Sequence, residues 1–434
     1  MNKLKRSSCI VLLLTIILVV SACSGKGQKS SSESKGGNGE KIELTFWNSW
    51  TDPSPQNEAN TKQIEKFMKE NPDIVIKQEK IPHDQFKVKV KTQAAGKQLP
   101  DLVQVWPGAE LKPLVSGGLL HSIDEMMDHW DELIPEGQLG DYQIDGKQYA
   151  IPASLTPTSL VYYDKDMLSE AGYEEFPTTY EEFKTLIDKL NEQKIIPIAL
   201  GNKAQWLLQS SYISTIGDRL TGDDFLTSVL DTGEKKFTDE KFIEALYVIK
   251  ELADMKAFNE DFNSIDNTQH RDLFMLGDAA MMIDGVWSLG PLLENAPDKN
   301  IGIALFPEVE GGQGDPTAVS AVTGTGIGMN SELEGKKLEA AQKFLKGFYT
   351  EEYYENLMKA DLVVVADIEV PSEISPALKE VAQLTSQKIV PVYDAVLPTD
   401  VTDIINSGLQ ELTIGTITPE QLAEKLQQAV EKQR

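Results

Sequence analysis

The sequence predicts an α/β protein of two lobes, each a mostly parallel sheet flanked by helices, followed by a helical C-terminal region. Three observations lead there. Strand-like and helix-like stretches alternate as β-α-β-α-β between residues 42 and 106, an order that sets strands parallel with helices on the sheet faces. A second alternating series starts near residue 149. The chain has 434 residues, more than one hydrophobic core usually covers, so two lobes are expected.

The N-terminus precedes the folded part. Lys3, Lys5 and Arg6 stand before an apolar run from Cys9 to Val20, interrupted only by Thr15, the order of a secretory signal. The run is too short to span a bilayer, which takes about 20 apolar residues, and it ends in the small residues Val20-Ser21-Ala22-Cys23. This tetrapeptide resembles the site at which bacterial lipoproteins are cleaved and acylated. Residues 1–22 are therefore expected to be a signal peptide, with lipid on Cys23 holding the mature chain to the outer face of the cell membrane. Residues 23–40, rich in Ser, Gly, Lys and Glu, cannot bury a core and are expected to be a tether.

From there the elements follow in order. Ile42 to Trp47 alternates apolar and polar side chains as a strand and runs into a turn-rich loop. A helix presents Ile64, Phe67 and Met68; the strand 74–81, a helix to Ala95 and the strand 102–106 complete the first series. The second series comprises 149–152, 159–163 and 195–200, with a helix opening at Thr179, where Glu182 lies three residues on as in a capping box. Phe242, Leu246, Ile249 and Leu252 recur at helical spacing and are assigned to the core. Further strands are expected at 279–283, 301–306 and 319–329, and Thr418-Pro419-Glu420-Gln421 opens a final helix with a capping box and Pro at its first position.

Composition narrows the function. The formal charge of -27 becomes about -30 without the three signal cations, which argues against nucleic acid as a partner. The only cysteines are Cys9 and Cys23, so the mature protein is expected to have no disulfide, thiolate nucleophile or cysteine metal site. No G-x-S-x-G, H-E-x-x-H or P-loop is present, and neither a cofactor nor a metal is implied. The histidines His83, His121, His129 and His270 are scattered and read as surface residues. Gly324-Thr325-Gly326-Ile327-Gly328 lacks dinucleotide-loop spacing and reads as close backbone packing or a hinge.

The tryptophans carry more information. Trp47, Trp50, Trp106, Trp206 and Trp287 fall where a strand or helix meets a loop, beside Asn48, Asn202 and Asp284, whereas Trp130 lies among charged residues and reads as structural. An indole at a crevice offers an apolar face and one N–H donor, with Asn, Asp and Thr adding directional hydrogen bonds. Pyranose rings suit this chemistry, having apolar C–H faces and uncharged hydroxyls.

The chain resembles the bacterial extracellular solute-binding proteins of type 1, the maltose- and oligosaccharide-binding components of ABC importers. The resemblance rests on Leu44-Thr45-Phe46-Trp47, Leu99-Pro100-Asp101-Leu102-Val103, Tyr149-Ala150-Ile151-Pro152 with Tyr162-Tyr163-Asp164-Lys165, Pro177 to Phe183, Gly277 to Met281 with Asp284-Gly285-Val286-Trp287, and Gly415 to Glu420. It implies a clamp whose lobes close on a ligand about a hinge. Lobe I would comprise 41–153 and 287–332, and lobe II 154–286 and 333–434. By position, it implies ligand contacts from Trp47, Asn48, Trp106, Thr156, Thr158, Trp206, Asp284, Trp287, Thr323, Thr325, Tyr393 and Asp394.

Two functions compete. The first is a monomeric, non-enzymatic receptor that captures a neutral mono- or oligosaccharide and passes it to the transmembrane subunits of an ABC permease. A neutral ligand is expected because Arg219 and Arg271 lie in helical stretches, away from these loops. The second is a secreted glycoside hydrolase, which would need two carboxyl groups flanking the scissile bond; no such pair is recognisable.

Overall fold

The first strand shows how the sheets are seated. In a computed structural model, which describes residues 41–433, β1 (Ile42–Asn48) buries Leu44, Phe46 and Asn48, the period-two pattern of a strand with one covered face. α1 (Pro55–Glu70) starts with Ser54 accepting from the Asn57 N–H and with Pro at its first position, and buries Ile64 and Phe67. β2 (Ile74–Lys80) runs parallel to β1 in register Ile42 with Ile74. α2 (His83–Ala95) then leads to β3 (Leu102–Val105), parallel to β1 on its other side. A short hairpin, β4 (Gln143–Ile144) and β5 (Lys147–Gln148), follows.

The strand expected at 149–152 is absent. Ala150 and Ile151 are fully buried but leave no strand pairing, and Pro152 has no N–H to offer. The chain instead crosses here into β6 (Leu155–Pro157) and β7 (Leu160–Asp164), followed by β8 (Ile196–Ala199), β9 (Ala279–Asp284) and β10 (Ile301–Leu305). The stretch 319–329 forms two strands in two different sheets: β11 (Ala318–Thr323) pairs antiparallel with β6, while β12 (Gly326–Met329) pairs antiparallel with β3. A side chain at Gly324, between them, would overlap the Ser154 hydroxyl, so the run of glycines marks close packing of crossing segments. β13 (Lys388–Pro391) adds to β11 in parallel.

Two four-stranded sheets result, ordered β12-β3-β1-β2 and β10-β7-β9-β8, with a three-stranded sheet β13-β11-β6. In each large sheet three strands share a direction. In the first the antiparallel strand is β12, at the edge; in the second it is β7, which lies inside between β10 and β9. The fold is the expected two-lobed α/β clamp with a helical C-terminal region.

Two stretches pack with the other sheet than the sequence division places them. β10 pairs with β7, although 287–332 was assigned with the first series. The helix Gly335–Phe348, assigned with the second, sets Phe344 against Phe46 and Phe67, while Gln63 donates to the Gly347 carbonyl at 2.8 Å. Both follow from pairing between elements distant in sequence, which local periodicity does not encode. Elsewhere the local signals hold. Phe242, Leu246, Ile249 and Leu252 are fully buried in the helix Glu240–Asp254, Thr179 caps Tyr180–Glu192 through the Glu182 N–H, and Thr418 and Gln421 form the capping box of Pro419–Glu431. Trp130 is structural, 1% exposed, with its Nε1 donating to the Tyr349 carbonyl at 2.9 Å.

The helix Ser214–Thr221, buried along its whole length, ties the second sheet to β11. Arg219 donates to the Asp315 and Ala318 carbonyls at 2.8 and 2.7 Å and lies 3.7 Å from Asp218. Burial pushes the Asp218 carboxyl up to about 6, against the opposing pull of Arg219 and Lys388. A carboxyl raised in the folded state stabilises below its unfolded value near 4 and loses that contribution as pH rises to about 6. Urea denaturation at pH 4 and pH 7 should therefore show wild type losing stability relative to Asp218→Asn by roughly 2 kcal/mol; parallel behaviour of the two would contradict this.

Candidate ligand-binding site

A cavity of about 210 Å³ opens where the loops after β1, β3, β9 and β13 converge with α2 and the crossing segments around β6 and β11. Ligands in open α/β sheets bind at the carboxyl ends of strands because the loops there diverge and leave a crevice. Of the residues expected to bind, Trp106, Thr156, Thr158, Trp206, Trp287, Thr323, Thr325 and Asp394 line this cavity together.

Trp47, Asn48, Asp284 and Tyr393 are not among its lining residues, each for a local reason. The Trp47 ring instead lies beneath the Lys89 ammonium, 3.9 Å from its centroid. The loop brings Trp50 to the cavity in its place. Asn48 is fully buried and shapes that loop, accepting from the Trp50 N–H at 3.2 Å and donating to Gln78 at 3.1 Å. Asp284 is fully buried and accepts from the Gly285 N–H at 2.9 Å and the Ser288 hydroxyl at 2.6 Å, fixing the turn that presents Trp287. Tyr393 is 2% exposed and stacks with Phe242.

The aromatic groups form a connected set. His83 meets Trp106 and Trp206 edge-on at 5.3 and 5.4 Å, and Trp206 meets Trp287 at 5.8 Å. Several hydroxyls are already engaged: Thr158 donates to the Ser210 carbonyl at 2.9 Å, and Thr323 donates to Asp141 at 2.9 Å. Thr156 keeps only a 3.1 Å contact with the Ser154 hydroxyl. The Trp287 Nε1 is buried without a hydrogen-bond partner.

Charge is concentrated at α2. Lys87 pairs with Glu110 at 2.7 Å and lies 5.0 Å from the Trp106 ring. Burial alone would lower the Lys87 ammonium, but Glu110, Asp394 and Asp84 together hold it above its usual value. Burial pushes the Asp394 carboxyl up, opposed by Lys87; Gln209 donates to that carboxyl at 3.3 Å and accepts from the Asp394 N–H at 3.0 Å. Burial would also raise the Asp84 carboxyl, but hydrogen bonds from His83 and Trp206 and the nearby positive charges hold it below its usual value.

Sequence reasoning missed Trp50 as a lining residue, and also Gln104, His83, Lys87, Asn267 and Arg271. Arg271 overturns the expectation that no arginine lies near the site. Nor do all the histidines sit at the surface: His83 lines the cavity and His270 is fully buried. A readable signal existed. His83 with Lys87, and Asn267 with Arg271, are spaced i, i+4, which puts each pair on one face of its helix.

Residues 52–355 match the family model described as bacterial extracellular solute-binding protein. The chain is similar to the multiple sugar-binding protein of Streptococcus mutans, 24% identical over 359 residues, covering 79% of this chain and 78% of that protein. Among solved structures, a chitin oligosaccharide binding protein matches with a TM-score of 0.82 at 24% identity, covering 91% of this chain and 99% of the other. A structure from work on xylan utilization by the thermophilic bacterium Caldanaerobius polysaccharolyticus matches with a TM-score of 0.80 at 26% identity, over 89% of this chain and all of the other.

Trp206 and Trp287 are half-buried cavity walls, whereas Trp130 fills a core. Trp130→Ala should cost about 3–5 kcal/mol of stability in urea denaturation, and Trp206→Ala and Trp287→Ala clearly less. Equal losses for all three would mean that the cavity indoles hold the fold.

Proposed function

Because the chain belongs to the family of bacterial extracellular solute-binding proteins, we propose that it is the receptor of an ABC importer, capturing a sugar or oligosaccharide between its two lobes. The observation that carries this reading is the gathering of Trp106, Trp206 and Trp287 in one cavity with Thr156, Thr325, Gln104 and Asn267. Indole faces cover the apolar C–H faces of a pyranose, and the polar side chains meet its hydroxyls. The sugar-binding relatives support the same ligand class.

The ligand would seat against Trp50, Trp106 and the loop 49–57 on the side of the first sheet, and against Trp206, Trp287 and Asp394 on the other. Closure of the lobes would then present a surface recognised by the separate transmembrane subunits. We place β10 in the lobe of β7, and the helices 335–359 in the lobe of β1, following their pairing. Hydrolysis is the weaker reading: Glu110 is committed to Lys87, and the family is one of binding proteins. The protein would act as a monomer.

Anchoring by lipid on Cys23 belongs to the same proposal and concerns residues outside those described, as do the signal peptide 1–22 and the tether 23–40. Among the described residues no helix is long and apolar enough to cross a membrane. The run before Cys23 and the polar stretch after it support the anchor.

Two experiments test the proposal. A thermal-shift screen over a carbohydrate panel should find a sugar that raises the melting temperature, since a ligand present at a hundredfold excess over Kd adds about 2.7 kcal/mol. Titration of that sugar by intrinsic fluorescence should show Trp206→Ala and Trp287→Ala losing about one to three decades of affinity; unchanged affinity would move the site elsewhere. Separately, Cys23→Ala should abolish labelling by a fatty-acid analogue and release the protein from the membrane fraction. Continued labelling of that variant would refute the anchor.

A further inference from the structure

The helix Asn267–Leu276 carries Arg271 into the cavity wall, where the residue is 7% exposed. Its Nε is buried without a hydrogen-bond partner, and among the described residues the side chain makes no hydrogen bond or ion pair. Arg219, the other buried arginine, shows how the fold normally treats such a group. That guanidinium is 2% exposed and leaves its Nε without a partner as well, but its terminal nitrogens donate to the carbonyls of Asp315 and Ala318; those of Arg271 have no such acceptor.

A guanidinium is always charged and has five N–H donors in a fixed fork. The Arg271 Nε is shut off from solvent while the rest of the fork faces the cavity, so an arriving acceptor meets a charge that no protein group pairs. The other charged groups of the wall do not supply that acceptor. Glu110 is engaged by Lys87, Asp394 by Gln209, and Asp52 lies exposed on the loop after β1. Asp284, at the end of β9, accepts from Gly285 and Ser288 and faces His270 at 3.4 Å and Asn267 at 3.5 Å on the helix that carries Arg271, but makes no ion pair with Arg271 itself. The Trp287 Nε1 in the same wall is a second buried donor without an acceptor. A sugar hydroxyl would satisfy one N–H and leave the charge uncompensated, whereas a carboxylate matches both the charge and the fork.

We propose that the bound oligosaccharide carries a uronic acid residue whose carboxylate docks on Arg271, while its pyranose faces stack on the indoles. This deepens the reading of the cavity as a sugar site and rests on it.

Isothermal titration of the full chain with glucuronate- and galacturonate-containing di- and trisaccharides, their methyl esters and their neutral counterparts tests the proposal. At least one acid should bind about thirtyfold or more tightly than its ester, and Arg271→Gln should erase that preference while still binding the ester. Esters or neutral sugars that bind wild type as tightly as the acids would overturn the carboxylate claim and leave the sugar-receptor reading standing. A preference that survives in Arg271→Gln would also overturn it, assigning the acid to another cation. Failure of every sugar to bind would bring down both readings. The ligand-free melting temperature of Arg271→Gln provides a control. It should equal or exceed that of wild type, because an unpaired buried charge has been removed; a clear drop would show a structural role for the guanidinium and overturn the proposal.

Discussion

The antiparallel pairing of β6 with β11, in register Thr156 with Val322, is the contact on which the rest of the structure depends. It joins the chain where it first leaves the β1–β3 sheet to the chain where it returns as β12. Gly324 favours the approach, since its N–H donates to the Ser154 carbonyl at 2.6 Å and a Cβ there would overlap the Ser154 hydroxyl. Tyr142, fully buried, donates toward the carbonyls of Val105 and Gly324 at 3.0 and 2.7 Å and so ties the end of β3 to the crossing. Thr215 bonds both Ser159 and Ser320 at 2.6 and 2.7 Å, anchoring the same strands from the other side. A buried polar network in which these hydroxyls and carbonyls find partners is stiff. The position of the cavity, at the mouth of these crossings, is set by it.

Around that fixed seam the cavity combines groups of opposite character. Its indoles present apolar surface, and its cations are handled in two ways: Lys87 is held by an ion pair with Glu110, and Arg271 is left open. The formal charge of -27 therefore describes the solvent-facing surface and not the site. Thr158 and Thr323 have their hydroxyls engaged in structure, so in the proposed site specificity would fall to Thr156 within the seam and to Gln104, Asn267 and Arg271.

Much of this was legible in the sequence because it is local. The period-two pattern of 42–47, the 3.6-residue pattern of 242–252 and the capping box at Thr418 each state their structure within a few residues. Tryptophans near element ends pointed to the cavity through Trp106, Trp206 and Trp287, although Trp47 does not line it and Trp50 also packs in the core on Phe46 and Phe348. Long-range arrangements were not legible: the split of 319–329 between two sheets, the insertion of β7 between β10 and β9, and the packing of 335–348 on β1 all depend on partners far along the chain. Asn48 and Asp284 show a subtler limit. Their neighbours marked the right loops, but each side chain turns inward to shape its loop, and orientation at a strand end is decided by hydrogen bonds that composition does not reveal. Arg271 was passed over because it lies on a helix, although its i, i+4 relation to Asn267 was visible.

If the cavity at this seam receives a sugar, groups from both sheets meet it at once. Hydrogen–deuterium exchange of the full chain, with and without a bound oligosaccharide, tests this most directly. Protection is expected to be confined to peptides covering 49–57, 83–87, 104–110, 154–158, 206–210, 267–271, 286–291, 322–325 and 393–395, which form the cavity wall on both sides. Protection in only one of the two sets, or on outer elements such as the helix Glu240–Asp254, would contradict it.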